Sequence, residues 1–219
     1  MRLVVDQFTI PALGTDREQL STSGIEEDFV MKLAMLIGGS GTGKGYIVEQ
    51  LHQPHQRIVV DHVRRDVLVP LRPVLSGDEC NQWPVWDALI PHFDVVPAMA
   101  KTIATLYPKL DSNTPIVAEG GLLAHTPFRY AFLSALARLQ YHITIDCKFW
   151  IDPDPQQILE NRRKRSERRK SDRDVTIEEV RSAVMWYRSV AGQLDSHRFH
   201  DAASAAAAID QFLIDPFDK

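Results

Sequence analysis

The sequence predicts an α/β domain in three layers, with a parallel β-sheet covered by helices on both faces. Two observations carry that prediction. Short β-type runs alternate with helical patterns along most of the chain. One of those runs, Leu33–Ile37, passes through a glycine-rich turn straight into a helical pattern. Length sets the scale, since 219 residues with 44% hydrophobic content can bury one sizeable core.

The strand candidates follow in order as Leu33–Ile37, Arg57–Val60, Pro115–Ala118 and Ile143–Ile151, with a short fifth near His197–His200. Helical patterns occupy Lys44–His52, Phe128–Gln140, Pro155–Arg165, Ile177–Leu194 and Ala202–Leu213. Residues 62–112 hold several prolines with Trp83 and Trp86 and mixed helical signals, and read as an inserted segment. Residues 1–30 precede the first core strand and read as an N-terminal extension, either an edge strand or an arm packed on the domain. All of this is expected to form a single domain over residues 1–219.

A net charge of −4 indicates no partner by itself. Cys80 and Cys147 lack metal-ligand spacing and read as two reduced thiols. No apolar run is long enough to cross a bilayer, and the start at Met1 breaks off too soon for a signal peptide. A cytoplasmic protein is expected, and nothing in the sequence sets its oligomeric state.

The strongest local signal is Leu36-Ile37-Gly38-Gly39-Ser40-Gly41-Thr42-Gly43-Lys44-Gly45. An apolar strand precedes it and an amphipathic helix follows it, which is the setting such a loop needs to hold phosphate. Glycines let consecutive backbone N–H groups turn inward at phosphate oxygens. The helix that follows points its positive end at the same anion, and Lys44 is placed to reach the outer phosphates. The plainer reading is a strand-to-helix turn with a surface lysine.

This loop resembles the phosphate loop of the adenylate kinases and nucleoside monophosphate kinases, G-x-P-G-x-G-K-G-T, with Ser40 in place of the proline and Tyr46 in place of the threonine. The run Pro115-Ile-Val-Ala-Glu119-Gly-Gly resembles the Glu-Gly strand end of uridine kinase-like enzymes. Together they place the chain with the P-loop kinases as a resemblance. That resemblance implies a five-stranded parallel sheet in the order 2-3-1-4-5, a helical lid, and in-line transfer of the γ-phosphate of ATP.

The same resemblance implies site roles. Gly39, Ser40, Gly41, Thr42, Gly43, Lys44, Gly45 and Tyr46 would hold ATP, and Glu119 would order the water shell of a magnesium ion. The usual Ser or Thr after the lysine is here Gly45, so magnesium would be held through water and by carboxylates elsewhere. Asp61, at the end of the second strand, would orient an acceptor hydroxyl or take its proton. Arg64 and Arg65 would clamp an acceptor phosphate. Plainer readings make Glu119 an exposed strand end, Asp61 a helix N-cap and both arginines solvated. Asp87, beside Trp83 and Trp86, is a weaker acceptor-side candidate.

The run Arg162–Arg173 carries eight basic and two acidic residues, a local +6 that leaves −10 for the remainder of a chain of net −4. Arg162, Arg165, Arg169 and Arg173 recur at spacings of three and four and can share one helix face. Its place after the fourth strand matches the lid of P-loop kinases, over residues 160–175, with Arg165 and Arg169 as catalytic candidates. Two readings compete with the lid: a solvated charged face, and a contact with a polynucleotide backbone.

A GTPase would show D-x-x-G after the second acidic strand and a base-reading Asn-Lys-x-Asp, and neither is present. Three functions remain open. One is a kinase acting on a nucleotide, nucleoside or other small hydroxyl compound. The second is a kinase or processing enzyme for DNA or RNA. The third is a nucleotide-binding regulatory module without turnover, suggested by Gly45.

Overall fold

Alternation along the first strand explains the layers. In the computed structural model, which describes residues 31–68, 95–165 and 175–215, strand β1 spans Met31–Ile37 and is buried throughout. Successive side chains of a strand point to opposite faces. Met31, Leu33, Met35 and Ile37 therefore enter one core and Ala34 and Leu36 the other. A strand buried on both faces reads as a continuous apolar run, as this one does.

Strand β1 leads into helix α1 (Lys44–Glu49), then β2 (Gln56–Val59), α2 (Val60–Leu68) and α3 (Val95–Leu106). Next come β3 (Ile116–Glu119), a 3₁₀ turn (Gly121–Ala124), α4 (Thr126–Arg138), β4 (Ile143–Ile151) and α5 (Pro155–Arg165). Helix α6 (Ile177–Ala191), β5 (His197–Phe199) and α7 (Ala202–Ile214) close the order. The five strands are all parallel, in the order β2-β3-β1-β4-β5. This is the three-layer α/β sandwich expected from the sequence, in the strand order that the resemblance implies.

One layer packs α2, α3 and α4 against the sheet through Val63, Val67, Met99, Ile103, Phe128 and Phe132. The other packs α1 and α7 against it through Ile47, Val48, Ala205, Ile209 and Leu213. Buried Lys32 on β1 reaches across to α7 and donates to the carbonyls of Phe212 (2.7 Å) and Leu213, two groups that a helix end leaves without internal partners. Thr176 and Glu179 form a reciprocal capping box at the start of α6.

Three details differ from the sequence reading. The second strand ends at Val59, and buried Val60 opens α2, so Asp61 sits in the first turn of a helix instead of at a strand end. The first helix stops at Glu49, three residues early. The described ends of the 62–112 segment are core-packed helices, because Val63 and Val67 on one side and Val95, Met99 and Ile103 on the other supply apolar faces. The extension 1–30, Cys80, Trp83, Trp86, Asp87, Arg169 and Arg173 lie outside the described residues. Cys147 is half-buried on β4, and that burial raises its thiol pKa, in keeping with an inert thiol. Among the described residues no helix is long and apolar enough to cross a membrane.

Candidate active site

Strand order locates the site. The chain leaves β1 through α1 on one face of the sheet and leaves β3 through α4 on the other. The carboxyl ends of two adjacent strands whose connections diverge in this way form a crevice, where open α/β sheets bind ligands. Here β1 delivers the glycine loop and β3 delivers Glu119-Gly120-Gly121. The two strand ends are tied by a bond from the Gly120 amide to the Leu36 carbonyl, 3.1 Å.

Gly41 and Gly43 have φ of +93° and +92°, in the left-handed region that side chains rarely adopt. These two positions are what allow the loop to curl before α1. The Lys44 ammonium folds back over the loop and donates to the carbonyls of Gly38 and Gly39, 2.8 Å each. The Thr42 hydroxyl donates to the Gly39 carbonyl at 3.0 Å. Tyr46 is exposed, at 59% of its full surface.

Helix α5 lies on this loop. Asn161 donates to the Gly41 carbonyl at 2.9 Å, and Arg165 Nη2 donates to the Ser40 hydroxyl at 3.1 Å. A Cβ on Gly41 would stand 2.7 Å from Arg162 Cγ and 3.1 Å from the Ile158 carbonyl. Residues 158, 161, 162 and 165 share one helix face, so the first part of the basic run meets the phosphate loop directly. Gly41→Ala is therefore expected to destabilise the protein by about 1–3 kcal/mol, because it combines a left-handed backbone with a collision against a carbonyl. Urea unfolding checks this, and an unchanged midpoint would contradict it.

A cavity of about 190 Å³ opens between the loop, the end of β4 and helix α6, lined by Gly39, Thr42, Trp150, Asp152, Arg162 and Tyr187, among others. Sequence reasoning gave no part to three features around it. Tyr187 wedges between the two strand ends: a Cβ on Gly39 would lie 3.1 Å from its ring, and one on Gly121 would lie 2.1 Å from its hydroxyl. Trp186 stacks on buried His125, with ring centres 4.7 Å apart. Asp152, 3% exposed, takes Arg188 Nε on both carboxylate oxygens (3.2 and 3.0 Å) and also Arg198. That carboxylate fixes α6 and β5 to the end of β4.

The Glu119 carboxylate is buried at the crevice and not an exposed strand end, and its partner has no signal in the sequence. Arg57 of β2 grips Glu119 Oε1 through Nε, at 2.8 Å, and through Nη2. Strand register permits this, since β2 and β3 run side by side with Val59 opposite Glu119. Asp61 is exposed beside Val60, while Arg64 and Arg65 fall on α2 with side chains outside the described set. The structure therefore brings together the loop, Lys44, Glu119, Arg162 and Arg165. It leaves Asp61 at the rim.

The donors present do not suit a protein-held magnesium ion, which demands oxygen ligands in near-octahedral array. Gly45 has no hydroxyl, the Thr42 hydroxyl is turned to Gly39, and Glu119 is already neutralised by Arg57. Among the described residues no group of three His, Cys, Asp or Glu could hold a metal.

No family model matches the chain, and no curated protein matches it. Among solved structures it is similar to the shikimate kinase from Acinetobacter baumannii in complex with shikimate, at 14% identity and a TM-score of 0.42, over 84% of this chain and 93% of that one. A gluconokinase from Sinorhizobium meliloti 1021 gives 14% identity and 0.42, over 84% and 95%. An uncharacterized protein from Eubacterium ventriosum ATCC 27560 gives 12% and 0.40, over 85% and 98%.

Proposed function

We propose that the chain is an ATP-dependent phosphotransferase that moves the γ-phosphate to a small hydroxyl acceptor, a nucleoside or a nucleotide. The observation that supports this best is the placement of Lys44 and the glycine loop in the crevice between β1 and β3, with Arg162 and Arg165 carried onto the loop by α5.

Loop amides from Gly39 to Gly45 would cradle the phosphates. Lys44 would exchange the Gly38 and Gly39 carbonyls for phosphate oxygens and follow the charge that moves during transfer. Arg165 and Arg169 would neutralise that charge. Asp61 would receive the acceptor's hydroxyl proton, and Arg64 and Arg65 would clamp an acceptor phosphate. Magnesium, which accompanies ATP in solution, would enter with the nucleotide as part of the substrate.

A radiolabelled γ-phosphate transfer screen over nucleosides, nucleotides, sugars and oligonucleotides tests the reading. Transfer to a small acceptor is expected, and Arg165→Ala should slow it at least tenfold, about 1.4 kcal/mol of barrier. Transfer to no compound in the screen would contradict the proposal. Oligonucleotide binding that weakens with salt at a log–log slope of roughly −0.7 to −0.9 per phosphate contacted would move the basic run to a polynucleotide backbone.

A further inference from the structure

In the general phosphate loop the residue after the lysine offers a hydroxyl to a metal ion, whereas the G-K-G-T pattern that this loop resembles has glycine there. Here that residue is Gly45, and its surroundings are filled by something else. A Cβ on Gly45 would stand 3.1 Å from Arg57 Nη2 and 3.9 Å from Glu119 Oε2. A Cβ here would crowd the end of the Arg57 side chain, so the place beside the loop lysine is occupied by the guanidinium of β2.

Charge supports the same conclusion. Glu119, with a side chain 7% exposed, is the buried carboxylate of the crevice, and Arg57 cancels its charge through two bonds to one oxygen. Those bonds engage two of the five guanidinium donors. A divalent cation seeking Glu119 would have to displace this guanidinium or sit against its like charge. Arg57 keeps 36% of its side chain exposed, with Glu49 Oε1 4.0 Å from its Nη1, and the guanidinium donors that Glu119 does not take can face an anion that settles on the loop.

We propose that Arg57 takes the place beside the loop lysine that a metal ion usually occupies, so that nucleotide phosphates bind here whether or not magnesium accompanies them. Glu119 is then a positioning residue that holds the guanidinium under Gly45. The inference rests on reading the loop as a nucleotide site, and the test separates the two.

Isothermal titration of ATP into the full chain, with magnesium and again with EDTA, reads the answer. Wild-type affinity in EDTA is expected to stay within about threefold of that with magnesium. Arg57→Ala should lose at least about tenfold in EDTA, and Gly45→Ser with Arg57→Ala should acquire a preference of about tenfold or more for the magnesium complex. Glu119→Gln guards against an unfolded arginine variant, because it keeps an acceptor for Arg57 and unmasks its charge. It should bind ATP in EDTA at least as tightly as wild type. A wild-type affinity that collapses tenfold in EDTA, or a Glu119→Gln protein that loses ATP binding, would overturn the inference while leaving the nucleotide site in place. Absence of ATP binding by wild type under both conditions would overturn the site reading, and this inference with it.

Discussion

Replacing Lys44 with alanine is expected to slow phosphoryl transfer by about 10²–10³ while leaving the protein folded, as for loss of one preorganised donor at a site of developing charge. The two halves of that expectation have separate grounds. Helix α1 is held by Ile47 and Val48 in the core shared with α7, which the substitution does not touch. The ammonium itself bonds back to the loop carbonyls of Gly38 and Gly39, a position from which it can swing to an incoming phosphate. Steady-state transfer rates together with a thermal melt check both halves. A well-folded variant with near-normal turnover would remove Lys44 from the chemistry.

The second large effect concerns stability. Phe128→Ala is expected to cost about 3–5 kcal/mol, since the ring is fully buried and its removal leaves a cavity that a sheet and two helices cannot collapse into. Phe128 lies in the first turn of α4, just after the 3₁₀ turn that follows Glu119-Gly120, so the loss falls on the layer that supports the crevice. Urea unfolding measures it. A shift below about 1 kcal/mol, the range of ordinary surface substitutions, would mean that the site can repack.

Local patterns made much of the fold legible. The apolar run Leu33–Ile37 and the glycine run after it identify the central strand and its loop, and the helical pattern from Ile177 marks the start of α6. The strand order came from the resemblance of a short motif, because nothing in the periodicity of five separate runs says which are neighbours.

The site was half legible for the same reason. Lys44, Glu119 and Arg165 sit in local patterns. Arg57 meets Glu119 across 62 residues of sequence, and Arg188 meets Asp152 across 36. No spacing rule reports pairs that only the sheet brings together. Tyr187 looked like any aromatic residue on an amphipathic helix, and only the close approach to Gly39 and Gly121 reveals its place. Asp61 lies one residue into α2 instead of at a strand end, because an apolar Val-Val pair reads equally as the end of a strand and the start of a helix.

Amide hydrogen exchange tests most directly whether the loop between β1 and α1 holds the phosphates of ATP. Adding ATP is expected to slow exchange across Gly39–Gly45, where the amides would turn from water to phosphate oxygens, and Lys44→Ala is expected to weaken this protection. ATP that leaves these amides unchanged, or protects a different part of the chain instead, would contradict it.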